Sequence, residues 1–277
     1  MEKLRGRNAI VTGASRGLGV FIARALAAEG INLALSARTL APIEELAREL
    51  SATGVRCIAI RSDVATAADR DALLSRATAE IGPIDVLVNN AALESNEAFA
   101  RYSPHDIEQM LNVDLVAPVL LTRALLPSMI ERKTGHVINI ASLAGKAATP
   151  YNVPYSTAKA GLILFSHGLR AELRGTGVSC SVIVPGFISE TGMFAEKEQN
   201  HGVSVPLIVG TSAPEAVARA VVRALTADVL ETIVNPGPMR LSYAFNQVFP
   251  TAFSWFLTRI GAMEPFKKIA AGSRGTP

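Results

Sequence analysis

At 277 residues the chain is long for one domain but within reach of a single α/β sheet covered by helices on both faces. Hydrophobic residues make up 49% and charged residues 18%, a balance that supports a buried core and excludes a disordered chain. The net charge of +3 lacks the broad basic face of a nucleic-acid binder. From Arg240 onward, five basic residues face Glu264 alone.

Cys57 and Cys180 lie in separate apolar runs without CxxC spacing and read as reduced core thiols. His105, His136, His167 and His201 lack ligand spacing, so no metal is expected. No charged-then-apolar leader and no uninterrupted apolar run of membrane-spanning length is visible, so a cytoplasmic protein is the expectation.

Short apolar runs alternate with helical patterns, the rhythm of parallel strands joined by crossover helices. Residues 8–12 form a buried strand and 17–29 a helix closed by Gly30. Strands follow at 32–36 and 56–60, separated by a helix that Pro42 opens and Gly54 ends. A helix over 67–80 stops at Gly82-Pro83, and 85–88 is the fourth strand. The loop 91–104 precedes two helices with a weak junction near Asn112 and a stop at Gly135. Residues 136–140 and 177–184 are strands flanking the helical run 150–173. The irregular stretch 187–211 reads as the cover of a site. A helix over 214–227 and a strand over 231–234 complete the pattern.

Thr12-Gly-Ala-Ser-Arg-Gly-Leu-Gly19 falls between the first strand and the first helix, where a dinucleotide fold binds pyrophosphate. Gly13 permits a tight turn, Gly17 lets backbone approach the phosphates and Gly19 allows close helix packing. Ser15, Arg16 and Leu18 complete the cradle at the helix N-terminus. The second strand ends Leu35-Ser-Ala-Arg38, without the acid that binds a ribose 2′-hydroxyl. Arg38 and Arg16 could instead receive a 2′-phosphate, which favours NADP(H) over NAD.

Tyr155 and Lys159 are four residues apart and share a helix face, so the ammonium can favour the ionised phenol. Moving a phenol from about 10 to about 7 requires roughly 4 kcal/mol, more than one exposed cation supplies, so other groups must contribute. A surface tyrosine beside a solvated lysine is the other reading of this spacing alone.

Taken in order, TGASRGLG at 12–19, Asp63-Val64, Asn89-Asn90-Ala91, Ser142, Tyr155 with Lys159, and Pro185-Gly186 resemble the short-chain dehydrogenase/reductase superfamily in its small single-domain form. The likeness spans residues 5 to about 238. It implies a Rossmann-like, doubly wound seven-stranded parallel sheet in the order 3-2-1-4-5-6-7. It also implies that Asp63 and Val64 contact adenine, that Asn90 and Ala91 line the cofactor ribose, and that Pro185, Gly186 and Ile188 flank the nicotinamide. Tyr155 would pass a proton to or from the substrate oxygen, Lys159 would bind the nicotinamide ribose, and Ser142 would hydrogen-bond the forming oxyanion. Ser142 capping a turn and Asp63 capping the next helix are the structural alternatives.

Two positions depart from the family pattern. Ala92 replaces a usual glycine and needs a negative φ. Asp114, in Val113-Asp-Leu-Val-Ala-Pro118, takes the place of the family's fourth catalytic residue, an asparagine whose backbone carbonyl holds a water linked to the lysine; Asn112 fits only with a two-residue slip. A carboxylate there is expected to weaken the pull of Lys159 on Tyr155.

Residues 1–239 read as the catalytic domain, with a substrate lid at 187–212, and 240–277 as an extension. The extension holds Tyr243, Phe245, Phe249, Phe253, Trp255, Phe256 and Phe266, interspersed with Arg240, Arg259, Lys267 and Lys268. Pro250 divides it into two short helices. It could pack on its own domain or a partner subunit, roof the active site, or make weak peripheral membrane contact. With Met193, Phe194, Val203, Val205, Leu207 and Ile208 of the lid, it favours a hydrophobic substrate. The expectation is an NADPH-dependent reductase of ketones or aldehydes, reversible as an alcohol dehydrogenase, in a homodimer or homotetramer. An NADP-binding sensor or scaffold impaired by Asp114 is the competing class, against which the intact Ser142, Tyr155 and Lys159 speak.

Overall fold

The computed structural model describes residues 4–147, 149–189, 191, 210–236, 239–259 and 264–272. β1 (Asn8–Thr12), β2 (Asn32–Ala37), β3 (Cys57–Arg61), β4 (Val86–Asn89), β5 (Gly135–Ile140), β6 (Val178–Pro185) and β9 (Glu231–Val234) form one parallel sheet, in the order β3-β2-β1-β4-β5-β6-β9. This is the expected Rossmann-like order, with β9 in the seventh place. Most of these strands are buried on both faces, so they read as continuous apolar runs rather than alternating ones. Val11, Leu35 and Val88 face α1 (Leu18–Ala28), α2 (Leu40–Ser51) and the helix Pro214–Ala227; Ile10, Ala34 and Leu87 face the other layer. That layer holds α3 (Ala67–Ile81), α5 (Ala117–Glu131) and α6 (Val153–Glu172). Each large aliphatic side chain buried this way contributes about 1.5–3 kcal/mol.

The two helices expected around Asn112 are one. α4 (Pro104–Leu111) runs through a π-helical turn, Asn112–Val116, into α5. The polar Asn112 and Asp114 marked a real irregularity, but the chain absorbs it with wider hydrogen bonding instead of a break. The continuous helix Pro104–Glu131 has the length and hydropathy of a membrane span, but Val113, Ala117, Leu121 and Leu125 are packed against the sheet. Burial pushes both thiols, Cys57 and Cys180, up to about 12.

Other boundaries move by a few residues, with α6 starting at Val153 rather than Pro150 and the fourth strand ending at Asn89 rather than Val88. Past β6, the short strands Phe187–Ile188 (β7) and Thr211–Ser212 (β8) pair in parallel and close the base of the insertion. Met193, Phe194, Val203, Val205, Leu207 and Ile208 lie outside the described residues.

Among the described residues the extension forms three helices rather than two: Met239–Val248, Pro250–Arg259 and Glu264–Gly272. Pro250 separates the first pair as expected. The first helix docks on the body through Tyr243, in a cluster with Val182, Val184 and Ile163. The third places Phe266 6.4 Å from the Phe187 ring.

Candidate active site

At the C-terminal edge of the sheet, one threonine fastens two loops together. The buried Thr12 hydroxyl donates to the Val88 carbonyl (3.3 Å) and accepts from the N–H groups of Asn90 (3.0 Å) and Ala91 (3.1 Å). Asn90 Nδ2 donates back to the carbonyls of Thr12 (3.0 Å) and Gly13 (3.1 Å). The packing leaves no room for side chains here. A Cβ on Gly13, whose φ is 67°, would lie 2.7 Å from Ala91 Cα, and one on Gly19 would lie 2.8 Å from Ala14 Cα. Gly17 has φ 60° and precedes α1, which has no side-chain cap and no acid in its first turn. An uncapped helix start behind a glycine turn presents backbone N–H groups and partial positive charge, which fits a pyrophosphate. Ser15 and Leu18 are half-buried in this cradle, and Arg16 is exposed on it.

Arg38, exposed at the end of β2, is joined by Arg61, whose Nε donates to the Arg38 carbonyl at 3.2 Å. Asp63 Oδ1 accepts from Ala65 N–H at 3.0 Å, so Asp63 shapes its own turn, while Thr66 is the cap of α3. Val64 is buried beside it. Ala92 adopts negative φ, so the missing glycine is accommodated. At the other end, Pro185 closes β6, and a Cβ on Gly186 would lie 3.0 Å from Leu143 Cδ1, so Gly186 and the turn after Ser142 are in contact. Ile188 is buried next to them.

Tyr155, Lys159 and Asp114 are 7%, 2% and 0% exposed. Lys159 Nζ donates to the Ile140 carbonyl at 3.1 Å and lies 5.5 Å from the centre of the Tyr155 ring. It also lies 3.2 Å from Asp114 Oδ2, an ion pair without the direction of a good hydrogen bond. Asp114 Oδ1 accepts from the Leu93 N–H at 2.8 Å. The structure thus brings the Asp114 side chain, rather than Asn112, to Lys159. Burial raises the Asp114 carboxyl to about 6, although Lys159 and the Leu93 N–H pull the other way. The Tyr155 phenol is pushed well above its ordinary value, first by burial and then by Glu94 and Asp114, while a hydrogen bond from Ser142 opposes the rise. Ser142 Oγ accepts from Ala144 N–H at 3.1 Å, which leaves its own proton for donation. Ser142 thus caps the turn, as the structural alternative has it, and its hydroxyl proton is left for a further partner.

A model of the short chain dehydrogenase family matches residues 7–202. This chain is a short-chain dehydrogenase. It is 43% identical over 265 residues to the ketoacyl reductase HetN of a Nostoc species, covering 92% of this chain and 91% of that protein. It is 36% identical over 190 residues to a 3-oxoacyl-[acyl-carrier-protein] reductase of a Synechocystis species, covering 68% and 77%. An actinorhodin polyketide ketoreductase solved with NADPH superposes with a TM-score of 0.76 at 30% identity, over 82% of this chain and 95% of that one. A metagenomic short-chain oxidoreductase in complex with NADP gives 0.71 at 32% identity, over 83% and 97%.

Four residues around this dehydrogenase's site had no distinct mark in the sequence. A Cβ on Gly145 would lie 2.6 Å from the Lys159 carbonyl carbon and 2.7 Å from Ala160 N, so the turn carrying Ser142 rests directly on the helix carrying Tyr155 and Lys159. Lys146 anchors that turn, its Nζ 2.6 Å from Glu231 Oε2 on β9. Arg61 reaches Arg38 through the parallel register that pairs it with Ala37, a signal present once the strand order is known. Glu94 acts on Tyr155 from the loop after β4.

Proposed function

We propose that this short-chain dehydrogenase is an NADPH-dependent ketoreductase, acting reversibly on the carbonyl of a hydrophobic small molecule. The observation that carries the reading is the buried set of Tyr155, Lys159 and Ser142 at the end of the sheet that also holds the glycine cradle. The ketoacyl reductase relatives and the NADPH- and NADP-bound structures support it.

Arg16 and Arg38 would hold the 2′-phosphate, Asp63 and Val64 the adenine, Asn90 and Ala91 the ribose, and Pro185, Gly186 and Ile188 the nicotinamide. The bound nicotinamide supplies the hydride. Tyr155 is kept protonated by its burial and by two carboxylates, the state a proton donor needs before reduction. As negative charge gathers on the carbonyl oxygen, Tyr155 Oη gives up its proton, Ser142 Oγ–H donates a hydrogen bond, and Lys159 stabilises the phenolate left behind. Phe187 and Phe266 give the apolar wall that a hydrophobic substrate calls for.

Oxidation of NADPH by a panel of apolar ketones tests the reading, and Tyr155→Phe is expected to abolish it while retaining cofactor binding. NADPH binding without turnover on any ketone would favour the sensor or scaffold role. The exposed apolar residues Val116 and Leu120 on the long helix, and Val153 and Leu164 on α6, fit a subunit contact; a monomer by light scattering would remove that part.

A further inference from the structure

The turn that carries Ser142 is held by more of the chain than α6. Ser142 stands between Ala141 and Leu143, both buried, and these two neighbours share one apolar cluster with Val182 and Val184 of β6 and with Tyr243 of the tail helix Met239–Val248. The far end of the turn is tied twice through Lys146. Its ammonium pairs with Glu231 on β9 at 2.6 Å, and its carbonyl accepts from Asn246 Nδ2 of the same tail helix at 3.4 Å. Glu231 Oε2 also lies 2.9 Å from His167 Nε2 on α6, so one carboxylate links the turn to the catalytic helix and to the edge of the sheet.

The tail helix is docked at that turn rather than along an apolar stripe. Tyr243 is buried and Asn246 half-buried, three residues apart on one helix face. Leu241, Phe245 and Val248, which make the helix's own apolar stripe, are exposed. The inward contacts therefore fall on the residues around Ser142. The turn needs them, because Leu143–Gly145 is a single 3₁₀ turn, too short to set its own place. The close contact of Gly145 with the Lys159 backbone limits how far the turn can approach α6. The attachments at Tyr243, Asn246 and Lys146 keep it there.

We propose that Tyr243 and Asn246 are positioning residues for Ser142: the first tail helix completes the hold on the turn and so sets where the Ser142 hydroxyl stands relative to Tyr155. The C-terminal extension is then part of the catalytic apparatus, acting through the turn without touching the substrate. The proposal rests on the reductase reading.

The test compares Tyr243→Ala and Asn246→Leu with Leu241→Ser, an exposed change on the same helix. Tyr243→Ala is expected to lower kcat for ketone reduction by about ten- to a hundredfold, the cost of displacing a catalytic group by about 1 Å. KM and the NADPH dissociation constant should move far less. Asn246→Leu should lower kcat by about two- to tenfold, as for one lost hydrogen bond. Tyr243→Phe, which keeps the ring, should restore kcat, and Leu241→Ser should leave it unchanged. If Tyr243→Ala does not fold, Tyr243→Leu carries the same expectation. Amide exchange over residues 141–147 needs no substrate, and it should quicken in Tyr243→Ala and Asn246→Leu but not in Leu241→Ser. Unchanged kcat in both variants, an equal fall in Leu241→Ser, or unchanged exchange over 141–147 overturns the proposal. Faster exchange there, with no ketone turned over by any of the proteins including the wild type, would sustain the hold on Ser142 while sinking the reductase reading.

Discussion

Replacing Asp114 by Asn changes one buried charge at nearly constant volume. Asp114 is wholly buried, 3.2 Å from Lys159 Nζ, an attraction of about 5 kcal/mol at an effective dielectric constant of about 20. Burial nevertheless outweighs that attraction and lifts the carboxyl from 3.8 to about 6. Its ionisation is thus disfavoured by about 3 kcal/mol relative to an exposed aspartate. Below about 6 the carboxyl takes a proton, and the upward push on Tyr155 is removed. Tyr155 becomes the stronger acid, so wild-type kcat for ketone reduction should climb as pH falls through about 6. The asparagine has no charge to lose, so its profile should stay flat across that step. At neutral pH its turnover should lie within about tenfold of wild type, because Brønsted behaviour transmits only part of a change in acidity to the rate. NADPH oxidation followed from about pH 5 to about pH 9 makes the comparison. A step near pH 6 that persists in Asp114→Asn, or complete loss of turnover in it, would refute the reasoning.

Gly145→Ala should lower kcat by about a hundredfold with little change in NADPH affinity, since shifting the Ser142 turn away from Lys159 misplaces the catalytic groups; unchanged kinetics would show that the turn yields harmlessly. Arg38→Asp should reduce the preference for NADPH over NADH by at least about tenfold, the value of a charge-assisted phosphate contact, as read from the two dissociation constants; an unchanged ratio would remove Arg38 from the phosphate site. His136 is buried 2.8 Å from Ser181 Oγ, and burial holds it down to about 4. The unfolded chain therefore binds its proton first. The stability it contributes, about 3 kcal/mol, is present above about 6.5 and is lost as pH falls toward 4. Asp114 acts in the opposite sense over the same window, so the contribution is read from the difference in Tm between wild type and His136→Gln. If the two proteins lose stability in parallel between pH 7 and pH 4, His136 is not the titrating group.

The sheet was legible because most of its strands are buried on both faces and so are written as short apolar runs. The glycine cradle and the Tyr155–Lys159 pair were legible because each is a local arrangement: a turn before a helix, and one helical face. Asp114 was placed correctly in the chain, and a carboxylate acting on Lys159 was expected there. The resemblance gave this position a role for its backbone carbonyl; the structure adds the 3.2 Å approach of the carboxylate to Lys159, within a π-helical turn that the sequence marked only as a weak helix junction near Asn112. Glu94 escaped notice because a single acid in a loop has no period, and its partner is 58 residues away. The third tail helix, Glu264–Gly272, was missed although Gly261 and Pro265 punctuate the chain at its start.

The contact between Gly145 and the backbone at Lys159 divides the molecule by how it can change. Ser142, Tyr155 and Lys159 are carried on one stiff unit, because the turn and α6 meet backbone to backbone and cannot slide apart without disturbing each other. The loop after β4 meets the start of that unit through the Glu94 side chain and the Glu97 N–H on the Tyr151 carbonyl, and the aromatic helix meets Phe187 through the Phe266 ring. Substitutions there can alter the surroundings while Tyr155 stays where it is, so on the proposed reading a change of substrate would be written in the walls and leave the chemistry untouched.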